Sequence, residues 1–378
     1  MVSDIPVPVL EAVPNISEGR DLGLIREMVD LISGYDVEVL DWSTDPDHHR
    51  AVITFIGPPP AVEDAAVSLA DFAREHIDLR KHRGVHPRIG ALDVLPLVPL
   101  NDMSMIDAVY SARRVAEAIS DLGVPVYHYG YASSPPGRDL ATLRRGGFEE
   151  LIGGWPLDRF PDQMAGRSSA HPTAGVTCVG ARKVLLAWNI FTEGITLQEA
   201  RSIASKIRER DGGFTGLRAL GLALEVSGRI QVSMNLEDPF RTSPLDVFDA
   251  IASEVGALGG QVTETEVVGM LPDTLVLSNS EDRLMLPDPG HDRRLSERLA
   301  RHIVARRDAR RGGLNGNIED QVSKEEREDD WPNSAKDDRD SGSHQKLCRG
   351  RKVSLKEVRL NGGAMGSRTF LSQSNHRR

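Results

Sequence analysis

The sequence predicts an α+β protein of two lobes, each a mixed sheet flanked by helices, with a cleft between them and a disordered C-terminal tail. Three observations carry this. Short apolar runs alternate with amphipathic segments, both halves read in the same β-α-β-β-α-β order, and the composition changes abruptly near residue 305. The expected boundaries are 1–183, 184–304 and 305–378. A chain of 378 residues exceeds one average domain and suits two with material left over.

In the first half, Leu10–Ile16 is strand-like, and Asp21 can cap a helix that runs through Ile32 and stops at Gly34. Val37–Leu40 and Ala51–Ile56 read as neighbouring strands around the polar loop TDPDHH. Ala61–His76 has helical apolar spacing, and Leu92–Leu100 reads as a strand despite Pro96 and Pro99. A helix (Met105–Leu122), a strand (Val126–Tyr129) and a helix (Leu140–Leu151) follow, with a further strand over Val176–Val179.

The second half is cleaner. Val184–Phe191 is a continuous apolar run of strand length, and Thr196 with Glu199 makes a capping box for a helix reaching about Arg208. Leu217–Glu225 and Arg229–Asn235 form a strand pair across a Gly-containing turn. Ser243–Pro244 opens a helix to Leu258, and Gln261–Val268 is the last strand. This order is the ferredoxin-like signature. Two such lobes meeting near Lys183 place a cleft where ligands usually bind.

From Ala305 onward there are 17 basic and 12 acidic residues, whereas the chain as a whole carries a net charge of −10. The run QVSKEEREDDWPNSAKDDRDSGSHQK shows neither helical nor strand periodicity. Such a segment buries too little apolar surface to offset roughly 1–2 kcal/mol of backbone entropy per residue. A partner-binding arm is the alternative reading.

With 39% hydrophobic and 27% charged residues, collagen-like and fully disordered classes are excluded. The net acidity argues against nucleic acid as the main partner. No apolar run approaches ~18 residues, so neither a membrane span nor a membrane partner is expected. The start MVSDIPVPVLEAVPN lacks a basic n-region and a clear cleavage site, so no signal peptide is expected. Two cysteines, Cys178 and Cys348, suit a reducing cytoplasm.

The chemistry concentrates in Lys81-His82-Arg83-Gly84-Val85-His86-Pro87-Arg88-Ile89-Gly90-Ala91-Leu92-Asp93, a loop entering a strand. Two histidines and several cations make a positive patch in an acidic lobe, which suits an anionic small substrate. Arginine can hold a carboxylate through two parallel hydrogen bonds. Histidine can accept and return a proton near neutrality, though a single histidine can equally serve the backbone alone. His82 and His86 are four apart, and His48 and His49 lie earlier, but Gly84 and Pro87 remove the helical geometry a metal pair needs; no metal is expected.

A second stretch, Gly166-Arg167-Ser168-Ser169-Ala170-His171-Pro172-Thr173-Ala174-Gly175, is small, polar and irregular. It reads either as an interlobe linker or as a surface on which backbone amides and hydroxyls meet a flat heterocycle. Cys178 beyond it reads as a buried structural thiol. Arg182 and Lys183 bring two cations to the lobe boundary.

Five segments resemble the glutamate formimidoyltransferase (formiminotransferase) family: Val13-Pro14-Asn15-Ile16-Ser17-Glu18-Gly19-Arg20, HRGVHPRIGALDV, GARKVLLAWNI, QVSMNL (Gln231–Leu236) and TEVVGMLP (Thr265–Pro272). The likeness runs in order over about Val9–Val304. It implies transfer of a formimino group from N-formimino-L-glutamate to tetrahydrofolate, giving 5-formimidoyltetrahydrofolate and L-glutamate, in histidine degradation. Tetrahydrofolate is then a co-substrate, and a homodimer is expected. Nothing resembles a cyclodeaminase domain, so a monofunctional form is expected.

The family's catalytic histidine falls on His86 rather than His82, and its folate-binding segment on Gly166–Gly175. That segment is poorer in aromatics here than in the family. Relatives carry an assisting aspartate two residues after the one matching Asp41; this chain has Ser43 there, and Asp45 is the candidate for orienting the histidine. Arg83 and Arg88 are the expected carboxylate clamps, with Arg182 and Lys183 near the folate tail. The rival readings are the same fold using 5-formyltetrahydrofolate as formyl donor to glutamate, a non-catalytic folate-binding protein, and a metal hydrolase.

Overall fold

The computed structural model describes residues 6–84, 87–225, 227–275, 284–286 and 293–310. The first sheet begins with β1 (Leu10–Ala12) and β2 (Asn15–Ile16), one expected strand interrupted at Val13-Pro14, where proline supplies no ladder N–H. Then come α1 (Leu22–Ser33), β3 (Glu38–Asp45), β4 (Arg50–Gly57), α2 (Pro59–His76) and β5 (Leu92–Pro99). The lobe continues with α3 (Met105–Asp121), β6 (Val126–Gly130), α4 (Leu140–Leu143), α5 (Gly147–Leu151) and β7 (Thr177–Ala181). Across the sheet, β3 pairs β4, β4 pairs β1 and β2, and these pair β5, all antiparallel; β5, β7 and β6 then run parallel. The first six positions are therefore β-α-β-β-α-β with a parallel extension.

The second sheet holds β8 (Leu186–Glu193), β9 (Leu217–Ala223), β10 (Ile230–Leu236) and β11 (Gln261–Val268) in the antiparallel order β11-β8-β10-β9. Helices α6 (Leu197–Ile207) and α7 (Pro244–Ala257) complete the motif. Local chemistry sets the helix starts. Asp21 accepts from the Gly23 and Leu24 amides, Thr196 and Glu199 cap each other's backbone, and Ser243 caps α7.

Each sheet buries one face against its helices. Alternate residues Ala51, Ile53 and Phe55 of β4 meet Ile25, Met28 and Ile32 of α1 and Leu69 of α2. In the second lobe Trp188, Ile190, Val232 and Met234 meet Ile203, Val247 and Ile251. A smaller cluster of Val7, Val9, Leu40, Ile56, Met270 and Leu295 joins the two halves. At the boundary itself Lys183 pairs with Asp238 at 3.1 Å, and Val184 packs on that cluster.

Two expectations need correction. The single helix expected over Leu140–Leu151 is two short ones, because Gly146 and Gly147 take positive φ (73° and 68°) and turn the chain at Arg144. The expected tail start is also too early: residues 295–310 form a helix, α8. Leu295, Leu299 and Ile303 recur every four residues against the joining cluster. His302 and Arg298 both meet Glu38 of β3, and Arg306, a charge that read as tail, pairs with Asp36 at 2.6 Å. The expected disorder beyond, in 311–378, lies outside the described residues, as does Cys348. No helix among the described residues is long and apolar enough to cross a membrane.

Candidate active site

The β3–β4 turn and the segment 79–93 lie against each other. In the turn, His49 adopts the left-handed region (φ 51°), uncommon for a residue with a side chain. That conformation sets its ring between two partners. His49 Nε2 donates to Glu18 Oε1 (3.2 Å), while Nδ1 lies against the Arg83 backbone, 3.0 Å from its carbonyl oxygen and 3.2 Å from its amide nitrogen. Glu18 Oε1 also accepts the Gly19, Arg20 and Asp21 amides. Burial alone would raise the Glu18 carboxyl, but these amides and His49 hold it below its ordinary value.

His82 stacks on His49 with ring centroids 4.3 Å apart, and its Nε2 donates to the His49 carbonyl at 2.9 Å. Burial pushes its pKa down to about 4. His82 is thus a neutral anchor for the loop. His86 and Val85 lie outside the described residues.

Asp45 serves the turn rather than the 79–93 segment in the bonds it makes. It accepts the Asp47 and His48 amides and pairs with His48 Nδ1 at 2.9 Å. Burial opposes its ionisation, yet the His48 bonds hold its pKa low. On the far side, Gln231 of β10 donates to His48 Nε2 at 3.4 Å, bringing the second lobe to the turn.

Below the loop, fully buried Asp93 of β5 uses both oxygens. Oδ1 accepts the Ile89 (2.8 Å) and Gly90 (3.2 Å) amides, while Oδ2 accepts from Arg50 Nη1 (2.9 Å) and Arg144 Nη2. Asn15 Oδ1 takes Arg50 Nε and Nη2. Burial would raise the Asp93 carboxyl, but Arg144, Arg50 and the Ile89 amide outweigh it and hold it well below the carboxylate range. Arg50 is pushed down to about 10 by burial and by Arg144 beside it.

The four expected clamps differ in what they already hold. Arg88 makes a two-bond pair with Glu149 (2.7 and 3.0 Å), and Lys183 is paired with Asp238. Arg83 is exposed and donates to the Arg80 and His82 carbonyls. Arg182 donates to the Lys183 carbonyl; it lies near Glu11, whose burial raises the carboxyl to about 7 against the Arg182 charge. Around neutrality Arg182 is therefore only partly neutralised.

The expected folate segment spans two features. Its start lines a hollow of 720 Å³ formed by Trp155, Phe160, Met164, Ala165, Gly166, Arg167 and Ser168, all of the first lobe. Trp155 Nε1 donates to the Arg167 carbonyl, and Arg167 Nε to that of Gly123. Its end is stitched to the 79–91 chain: Leu79 N donates to Thr173 O and Ala91 N to Ala174 O, and just beyond the segment Val176 N donates to Ile89 O, each within 2.9 Å. His171 Nδ1 accepts the Thr173 and Ala174 amides, and burial, with nearby Arg167, lowers its pKa to about 4.

These two histidines give a pH expectation. Their folded pKa values lie below the ordinary 6.5, so between about 6.5 and 4 the unfolded chain binds more protons. Stability should fall as pH drops through that window, by up to one proton's slope per histidine. Thermal midpoints for wild type, His82→Gln and His171→Gln measure this. Declines no shallower in the variants would contradict it.

Two family models match the chain: the formiminotransferase domain, N-terminal subdomain, over residues 9–182, and the formiminotransferase domain over residues 187–284. The chain belongs to the formiminotransferase family. Glutamate formimidoyltransferase of Streptococcus pyogenes is 35% identical over 295 residues, covering 76% of this chain and 97% of that protein. The Thermoplasma acidophilum glutamate formimidoyltransferase is 36% identical, covering 73% and 92%. Formimidoyltransferase-cyclodeaminase of Rattus norvegicus is 36% identical over 70% of this chain but only 50% of its own length. Among solved structures, pitrilysin matches at a TM-score of 0.19 and 14% identity over 67% of this chain and 34% of its own, too slight a likeness to carry an argument.

This formiminotransferase is an enzyme of the transferase class. Its family segments converge: Glu18 of the first, Asp93 of the second and Gln231 of the fourth all reach the turn or the loop. Sequence reading did not find the partners Arg50, Arg144, His48 and His49 for these roles. Asp93 carried a usable signal, a lone acid inside an apolar strand; Arg144 carried none, because a surface-type arginine reveals a buried role only beside its acid. Among the described residues no group of three or more His, Cys, Asp or Glu is placed to hold a metal. Cys178 is fully buried, and burial pushes its thiol far up, which fits a structural residue.

Proposed function

We propose that the protein transfers the formimino group of N-formimino-L-glutamate to N5 of tetrahydrofolate, releasing L-glutamate. N5 attacks the amidine carbon to form a tetrahedral intermediate. His86 takes the N5 proton and delivers it to the glutamate nitrogen as the C–N bond breaks, so one imidazole serves both steps. Holding both substrates beside it lowers the barrier further, by up to about 7–11 kcal/mol in ideal cases.

The observation that carries this reading is the course of Gly166–Gly175, from the hollow to hydrogen bonds on either side of His86 in sequence. A pterin in the hollow would lie against Trp155 and Phe160, aromatic faces that the ten-residue segment itself lacks. Arg83 and Arg182 are the proposed carboxylate-holding cations, since Arg88 and Lys183 already have acidic partners. Asp45 acts through His48, fixing the turn on which the loop rests.

Phe160 is 52% exposed, so Phe160→Ala should leave stability nearly unchanged. It should weaken 5-formyltetrahydrofolate binding about tenfold through loss of ring stacking. Titration calorimetry measures this, and an unchanged affinity removes the hollow from the folate site.

A further inference from the structure

Just after His86 in sequence, two consecutive backbone amides are held by one buried carboxylate, that of Asp93. Ile89 follows His86 by three residues, so at most about 10 Å of extended chain separates them. The Ile89 and Gly90 amides both point to Asp93 Oδ1. The other oxygen of Asp93 is held by guanidinium groups from two separate elements, Arg50 on β4 and Arg144 at the α4–α5 break. The same break sends the Phe148 amide to the Arg88 carbonyl (3.1 Å) and Glu149 to the Arg88 guanidinium.

We infer that Asp93 is a positioning residue for the transfer reaction, fixing the His86 segment through the Ile89 and Gly90 amides, with Arg144 locking its orientation. The inference rests on the reading of His86 as acid–base. It assigns the aspartate of the ALDV string to catalysis at one remove rather than to the core alone. An ordinary core position would hold an apolar side chain here. A buried carboxylate is kept at a position flanked by Val94 and Leu92 because two amides and two cations need one acceptor between them.

The test uses full-length protein with N-formimino-L-glutamate and tetrahydrofolate, comparing wild type, Asp93→Asn, Arg144→Gln and His86→Ala. A loop displaced by about 1 Å costs on the order of 100-fold. Asp93→Asn should therefore lower kcat about 100-fold, with both KM values changed less than about threefold. Arg144→Gln keeps the Asp93 bonds to Ile89 and Gly90, so its loss should be nearer tenfold.

The split between kcat and folded fraction separates positioning from folding. A misplaced imidazole lowers kcat in protein that is fully folded, with both KM values nearly kept, whereas a purely structural loss lowers the thermal midpoint and leaves kcat per folded chain unchanged. Arg144→Gln decides the matter if Asp93→Asn does not fold. Variants that fold with kcat within twofold of wild type overturn the inference while wild type stays active and His86→Ala inactive. Wild type without turnover overturns the reading of the site and this inference with it.

Discussion

Replacing His86 with alanine is expected to lower kcat for formimino transfer by roughly 10²–10⁴-fold, the range for removal of a positioned acid–base group. Folate affinity should change less than about threefold. The segment around position 86 keeps its anchors in this variant: His82 still donates to the His49 carbonyl, the Arg83 amide to His49, and the Ile89 and Gly90 amides to Asp93. The lost function is then that of the imidazole alone. Steady-state rates together with calorimetric titration of 5-formyltetrahydrofolate measure it. Loss of folate binding in step with activity would instead assign His86 to the binding surface.

Gly175→Ala should destabilise the fold strongly. Gly175 has φ +70°, and a Cβ there would lie 2.0 Å from the Ile89 carbonyl oxygen and 2.7 Å from Leu79 Cδ1. Backbone cannot retreat as a side chain can, and Ile89 is already bonded to Val176 and Asp93. Overpacking and the left-handed conformation together should cost about 3 kcal/mol. Gly166 provides the internal control. Its φ is +69°, but nothing lies within 4 Å of an added Cβ, so Gly166→Ala should cost only about 1–2 kcal/mol. Urea unfolding distinguishes them; equal losses would mean that the close approach to Ile89 carries no energy.

The fold was largely legible because its signals are local. The Thr196–Glu199 capping box, the Asp21 cap and the apolar spacing of Ile25, Met28 and Ile32 each work within one helix, and Gln261–Val268 is read to the residue. Two elements failed, one at a glycine pair and one where a distant partner decides. Leu140–Leu151 has helical apolar spacing, which masked the local break at Gly146-Gly147, and Ala305–Arg310 looks unstructured until Asp36 meets Arg306.

The site followed the same rule. The strings rich in His, Arg and Gly marked the loop and the Gly166–Gly175 segment, because those residue types are costly to place without a purpose. Arg50 and Arg144 were invisible, since a buried arginine announces itself only beside its acid. His48 and His49 were noticed merely as metal candidates; their bonds to Asp45, Glu18 and Gln231 depend on a turn whose backbone no local pattern encodes.

The central claim is most directly tested by incubating the purified full-length protein with tetrahydrofolate and N-formimino-L-glutamate, following folate absorbance and glutamate release together. The account expects one glutamate for each 5-formimidoyltetrahydrofolate formed, with multiple turnovers per chain. Turnover confined to 5-formyltetrahydrofolate plus glutamate, or stoichiometric binding with no product, would contradict it.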